Sequence, residues 1–240
     1  MRAVETRHLS ELRLAEVTRA LRALSSTYVE RRRGIETGAA LSGAGKRAAF
    51  ALFYGPLHFL LTREIVRVLP DATSGTTRIV DLGCGTGVAG VAWALACSPA
   101  ASVVGVDRHP WAVREAARTY HEFGVRGRTR LGDIGRMGFE GRGTGILAAF
   151  TLNELSGSTR DDLLARLVRR RPSGCRVLII EPIARASIPW WTDWQREVED
   201  AGGRADEWRL RLTLPPLVAS LDRAAGLNHR EITGRSLWLP

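Results

Sequence analysis

The sequence predicts an α/β fold, a doubly wound and mostly parallel seven-stranded sheet with an amino-terminal helical extension, and three observations carry that prediction. Short apolar runs alternate with helical stretches from Arg78 onward, as a parallel sheet covered by helices requires. The run Arg78-Ile-Val-Asp-Leu82 passes directly into a loop with glycine at alternate positions, Gly83, Gly85 and Gly87. At 240 residues, 45% hydrophobic and 25% charged, the chain can bury one full core with an appendage. We divide it into a helical region, 1–70, expected to cover the cofactor or substrate, and a core domain, 71–240.

Leu14, Val17, Leu21, Leu24 and Tyr28 recur at three- and four-residue steps, one apolar stripe of a helix, and Arg31-Arg-Arg33 follows as a solvated helix end or a phosphate contact. A looser Gly/Ser segment, 34–45, leads to a helical stretch in which Gly55-Pro56 is expected to end one helix and begin the next. Strands are expected at 78–82, 102–106, 127–131, 145–151 and 175–181, with helices at 87–97, 110–123 and 159–170 between them. A helix at 190–201, a strand at 206–214, a helix at 215–225 and a strand at 229–239 complete the pattern. The last two strands are expected as a hairpin-like antiparallel pair at the sheet edge.

The glycine loop sits where a buried strand, Ile79, Val80 and Leu82, gives way to an apolar helix, Val88 to Ala96. Without Cβ atoms, its backbone can turn tightly and approach a ligand. The following helix offers unpaired N–H groups and a positive dipole end to an anionic group. A Gly-x-Gly-x-x-Gly dinucleotide loop would need glycine three places after Gly85, where this chain has Val88.

Asp81-x-Gly83-x-Gly85-x-Gly87 resembles motif I of class I S-adenosylmethionine-dependent methyltransferases, whose fold is a Rossmann-like doubly wound sheet. Val103-Val-Gly-Val-Asp107 resembles that family's second strand and the acid that holds the ribose hydroxyls. Leu131-Gly-Asp133-Ile134 resembles its adenine-holding acid and apolar neighbour. The resemblance implies S-adenosyl-L-methionine as cofactor, held by Asp81, Gly83, Cys84, Gly85, Gly87, Asp107, Arg108, Asp133, Ile134 and Thr151. Two positions keep a second reading open, Asp107 as a helix cap before His109-Pro110 and Asp133 as a turn-stabilising acid.

Asn153 and Glu154 follow the fourth strand, where nucleobase-amino methyltransferases carry Asn/Asp-Pro-Pro-Tyr, but this chain lacks both prolines and the aromatic. A Pro-Cys nucleophile is also missing, which argues against covalent base chemistry. Asn153 and Glu154 either orient an amine or hydroxyl and take its proton, or cap the next helix. Methyl transfer from a sulfonium is an in-line displacement with a neutral leaving group, so positioning and desolvation can supply most of the acceleration.

Leu152-Asn-Glu-Leu155, Ile179-Ile-Glu-Pro182 and Phe53-Tyr-Gly-Pro56 together resemble a narrower group, the methyltransferase-like family associated with the small ribosomal subunit, over about residues 45–185. That likeness implies ribosomal RNA or the small subunit as partner, and Tyr54 as a residue closing over the cofactor. A core aromatic is the alternative for Tyr54. The cysteine cluster carried by some members is absent here.

Cys84, Cys97 and Cys175 are far apart, no histidine shows metal-ligand spacing, and no metal is expected. The formal net charge is +10, and one lysine stands among 35 basic residues. An anionic partner, nucleic acid first, and a composition bias toward arginine are the two explanations. Trp190, Trp191 and Trp194 are expected to pack a helix, with base stacking as the alternative. No apolar stretch would span a bilayer and the first residues read as no secretory signal, so a cytoplasmic protein is expected. Three functions remain open: an RNA methyltransferase, a small-molecule methyltransferase with the helical region as lid, and a non-catalytic ribosome-assembly or RNA-binding factor that keeps the fold.

Overall fold

The computed structural model describes residues 2–30, 41–139, 141–169, 171, 174–184 and 188–240. Arg31-Arg-Arg33 and most of the Gly/Ser segment lie outside the described residues. The chain packs as two compact units, Met1–His58 with Leu210–Ile232, and Phe59–Arg209 with Thr233–Pro240.

In the first unit, α1 (Arg2–Leu9) buries no residue, and α2 (Leu14–Glu30) carries the predicted stripe, with Val17, Leu21 and Leu24 fully buried. Leu14, at its amino end, is exposed. An Arg22 guanidinium donates to the carbonyl of Ala224 in α9 (Pro216–Ala225), tying these helices together.

The predicted break at Gly55-Pro56 does not occur. Helix α3 (Ala44–Ala49) runs through a π-helical turn, Phe50–Tyr54, into α4 (Gly55–Val68). The Gly55 N–H bonds the Phe50 carbonyl five residues back. One extra residue in that wide turn places the donor that Pro56 lacks at the seam, so the helix continues.

The second unit holds the sheet, in the order β3-β2-β1-β4-β5-β7-β6. Its strands are β1 (Arg78–Leu82), β2 (Ser102–Asp107), β3 (Gly127–Leu131), β4 (Thr144–Ala149), β5 (Arg176–Glu181), β6 (Arg204–Leu210) and β7 (Ile232–Leu239). The first five pair in parallel, and β7 lies antiparallel to β5. The final strands are shorter than predicted, and the expected helix, α9, joins them in sequence. Helices α5 (Val88–Ala96), α6 (Pro110–Glu122), α7 (Gly157–Leu164) and α8 (Trp191–Asp200) complete the unit.

Alternation along the strands sorts the core. Val80, Leu82, Val106, Ile146, Ala148, Val177 and Ile179 pack with Leu163, Trp191 and Trp194 from α7 and α8. The tryptophans after β5 are therefore core residues, as expected for the packing of a helix. On strand positions of the opposite parity, Gly145 admits Trp93 of α5, since a Cβ there would lie 2.8 Å from its ring. Chain order reverses between β1 and β4, which places a crevice beyond the carboxyl ends of β1, β2 and β4.

Candidate active site

Three strands carry an acid at this edge: Asp81 next to the end of β1, Asp107 closing β2 and Glu181 closing β5. Between them lies the glycine loop. Gly83, Gly85 and Gly87 all have left-handed backbones, with φ of 69°, 52° and 76°. Two of them are also sterically closed. A Cβ on Gly83 would overlap the Thr151 hydroxyl, and one on Gly87 would lie 2.7 Å from the Tyr120 ring and 2.9 Å from Ala116. The loop N–H groups of Gly83 and Cys84 bond the Val106 carbonyl at 2.8 and 3.0 Å, fixing the loop to the end of β2. The N-cap residue of α5, Gly87, offers no side chain; Asp81 takes the Gly90 N–H, which leaves the Val88 and Ala89 amides as the first-turn donors toward the loop.

Asp107 is half-buried. One carboxylate oxygen accepts the Gly85 N–H at 2.9 Å and the other the His109 N–H at 2.8 Å, which holds the carboxylate rigidly beside the loop. Each oxygen retains acceptor capacity for a pair of hydroxyls. The cap of α6 is His109, whose Nδ1 accepts the Trp111 N–H at 3.1 Å, so the capping role weighed for Asp107 falls to its neighbour. Asp133 is exposed and accepts the Gly135 N–H at 2.8 Å in a tight turn, with Ile134 buried behind it.

Asp81 and Cys84 lie beneath the loop rather than on the crevice surface. Asp81 is 1% exposed and accepts the Gly90 N–H at 3.1 Å, bracing α5 against β1. Burial pushes its carboxyl up to about 7, opposed by the Gly90 N–H and reinforced by Asp107. Cys84 is buried near the Tyr120 ring, where burial above all raises its thiol.

The segment expected on the acceptor side follows β4. Phe150, at φ 57°, turns the chain sharply out of the sheet, a left-handed conformation that strains an aromatic residue. The Thr151 hydroxyl then donates to the Gly83 carbonyl at 3.1 Å, joining this segment to the glycine loop. Asn153 and Glu154, which sequence places together, face different partners. Asn153 Oδ1 accepts the Trp190 indole N–H at 3.0 Å, while Glu154 meets the Arg108 guanidinium at 3.3 Å. Burial pushes the Glu154 carboxyl up to about 7, Arg108 opposes the shift and Asp107 adds to it. Neither residue caps α7. Ser156 does, accepting the Thr159 N–H.

Arg108, expected on the cofactor, is thus the partner of Glu154. Tyr54 belongs to the first unit, where its ring meets Phe53 edge-on at 5.3 Å and its hydroxyl bonds Ser25. Glu181 was not among the predicted site residues. It is 1% exposed, and one oxygen accepts the Leu152 N–H at 3.0 Å. Its signal was an acid closing an apolar strand, the pattern already shown by Asp81 and Asp107.

A reversed parallel sheet with a left-handed glycine loop and strand-end acids defines a Rossmann-like, nucleotide-cofactor fold. Residues 79–174 match the family model described as "Methyltransferase domain". Those residues form a methyltransferase domain, and its cofactor is S-adenosylmethionine. Solved structures agree at the level of fold. The mitomycin 7-O-methyltransferase MmcR is 16% identical with a TM-score of 0.54, over 90% of this chain and 59% of that one. Magnesium protoporphyrin IX methyltransferase (ChlM) from Synechocystis PCC 6803, solved with bound SAH, is 14% identical with a TM-score of 0.52, over 76% of this chain and 82% of that one. The S-adenosylmethionine-dependent methyltransferase SibL is 23% identical with a TM-score of 0.51, over 90% of this chain and 70% of that one. No curated protein sequence matches the chain.

The residues fit this cofactor. The loop is a cradle that a Cβ at Gly83 or Gly87 would fill, and Asp107 stands beside it with a fixed carboxylate. When bound there, S-adenosylmethionine supplies a methyl group activated on a sulfonium.

Proposed function

We propose that the protein methylates an oxygen or nitrogen of an RNA, with Glu154 taking the acceptor's proton. The α5 amides, the glycine loop and Asp107 hold the cofactor, and Asp133 with Ile134 takes the adenine. Glu154 is half-buried beside Asp107, and its carboxyl, held near 7, suits a group that gains and loses a proton at neutral pH. Arg108 opposite it holds that carboxylate in place and stabilises its charged form.

The observation that carries the RNA reading is a row of arginines on the sheet edge. Strand β3 is an edge strand, and Arg126 just before it, Arg128 and Arg130 along it, and Arg136 just beyond are exposed. None of the four forms an ion pair with a described acid. Arg128 and Arg130 share a strand face, about 7 Å apart by strand geometry, and the row leads to Asp133 at the cofactor edge. An unpaired cationic row of this kind fits a phosphate backbone better than a scattered composition bias does. The likeness to the ribosome-associated group makes small-subunit RNA the first acceptor to try, in a cytoplasmic setting.

A small-molecule acceptor is the second reading. A cavity of about 390 Å³, lined by Trp191, Gln195, Asp206, Glu207 and Arg235 among others, has a volume suited to one. Two of the fold neighbours are themselves named for small-molecule acceptors.

Incubation with methyl-labelled cofactor, ribosomal subunits, total RNA and a metabolite panel separates the readings. Label in RNA, reduced when Arg126, Arg128 and Arg130 are replaced by Gln, is expected. Label confined to small molecules would overturn the RNA reading.

A further inference from the structure

We propose that Glu181 is the positioning residue of the active site: from the end of β5 its carboxyl holds the acceptor-side segment, Phe150 to Leu155, in register with the cofactor loop. The segment needs such a hold. Phe150 leaves β4 in a strained left-handed conformation, its N–H bonded to the Ile180 carbonyl at 2.8 Å, immediately beside Glu181. Glu181 then receives the next two amides. Its Oε1 accepts the Leu152 N–H at 3.0 Å, and the carboxyl also accepts from the Thr151 N–H. With its backbone so fixed, Thr151 can extend its hydroxyl to the Gly83 carbonyl.

The far side of the segment is held by α7. Arg160 donates to the carbonyls of Leu152 and Leu155 at 3.3 and 3.4 Å, and its guanidinium lies 5.2 Å from the Trp190 ring. Trp190 in turn binds Asn153. Acid on the amides, arginine on the carbonyls and indole on the side chain leave Glu154 as the member of the segment that reaches Arg108 across the crevice. The cofactor loop and the proton acceptor are therefore two ends of one hydrogen-bonded segment, and Glu181 fixes its middle. The groups facing Glu181 are Glu154 from the same segment and Arg160 from α7, together with the two amides.

This inference uses the domain's cofactor and rests on the reading of Glu154 only for the pH test below. Glu181→Gln keeps one acceptor oxygen but points an N–H₂ at the second amide. The full chain is titrated with S-adenosylhomocysteine by calorimetry, and hydrogen exchange is followed in peptides covering 83–87 and 151–155. Glu181→Gln is expected to retain its circular dichroism, weaken S-adenosylhomocysteine about tenfold and accelerate exchange in both peptides. On bulk RNA as probe, the rise of rate with pH is expected to stay near 7, because Glu181, pushed up to about 8, is still uncharged where Glu154 titrates.

Unchanged affinity and exchange in a folded Glu181→Gln protein would overturn the proposal. If that variant does not fold, Thr151→Val, which leaves both amides in place, is expected to weaken S-adenosylhomocysteine alone, and unchanged binding there overturns it equally. Failure of methyl transfer to every probe would sink the RNA reading while leaving these binding measurements to decide the role of Glu181.

Discussion

Replacing Gly83 by Ala tests how tightly the acceptor-side segment is seated on the cofactor loop. The substitution meets two separate penalties. At φ 69° an L side chain carries about 1–2 kcal/mol of backbone strain. The new Cβ would also overlap the Thr151 Oγ1 and lie 2.6 Å from its Cγ2 and 2.9 Å from its Cβ. Thr151 must then move, forfeiting its bond to the Gly83 carbonyl, a further loss of about 1 kcal/mol. The expected total is about 2–3 kcal/mol. Gly124 supplies the control, because its φ is 64° but a Cβ there meets nothing within 4 Å. Gly124→Ala should lose the strain alone, about 1–2 kcal/mol. Urea unfolding of both variants, and of Gly83→Ala in a Thr151→Gly background, measures the difference. In that background the three clashing atoms are gone, and the loss should fall to the Gly124→Ala level. Equal losses for Gly83→Ala and Gly124→Ala in the otherwise unchanged chain would refute the steric argument.

Glu154 accepts a proton only when ionised, and with its carboxyl near 7 the methylation rate should rise through that pH and level off above it. Glu154→Gln should lower the rate at pH 8 about 100-fold and flatten the profile, whereas an unaltered rate would remove Glu154 from the chemistry. Asp107→Asn should weaken cofactor binding about tenfold by calorimetry, since an amide N–H₂ must then face either the Gly85 or the His109 N–H. Burial pushes the Glu181 carboxyl from 4.5 up to about 8, so the folded state holds its proton more tightly than the unfolded chain does. Stability from this group is present below the unfolded value and lost as pH rises toward 8. Glu181→Gln should therefore gain on the parent protein by on the order of 1 kcal/mol per pH unit in that window, read from urea unfolding at pH 5, 6.5 and 8. A difference independent of pH would contradict it.

Much of the sheet was legible because its signals are local. An apolar run ending in an acid marks β1 and β2, and three glycines at alternate positions mark a backbone that needs left-handed conformations. The continuous helix through Pro56 was not legible, because a π-helical turn absorbs the missing donor and no residue type announces such a turn. The site was readable to the level of the segment and not of the side chain. Asn153 and Glu154 are neighbours in sequence, but a donor 37 positions later, the Trp190 indole, draws one away from the other. Arg108 stands next to Asp107 in sequence, but its partner Glu154 lies 46 positions on, a pairing no local pattern announces. Burial of Glu181 likewise depends on the amides that Phe150 turns toward it, which is a property of the assembled sheet.

The bond from Trp190 to Asn153 also gives the molecule an optical reporter. Trp93, Trp194 and Trp238 are each 1% exposed or less and contribute a steady, blue-shifted emission. Trp190, 9% exposed and hydrogen-bonded to the acceptor-side segment, is the indole whose surroundings change when that segment shifts. Its fluorescence should register acceptor binding in real time without any label, and Trp190→Phe should silence the signal while leaving the background emission in place.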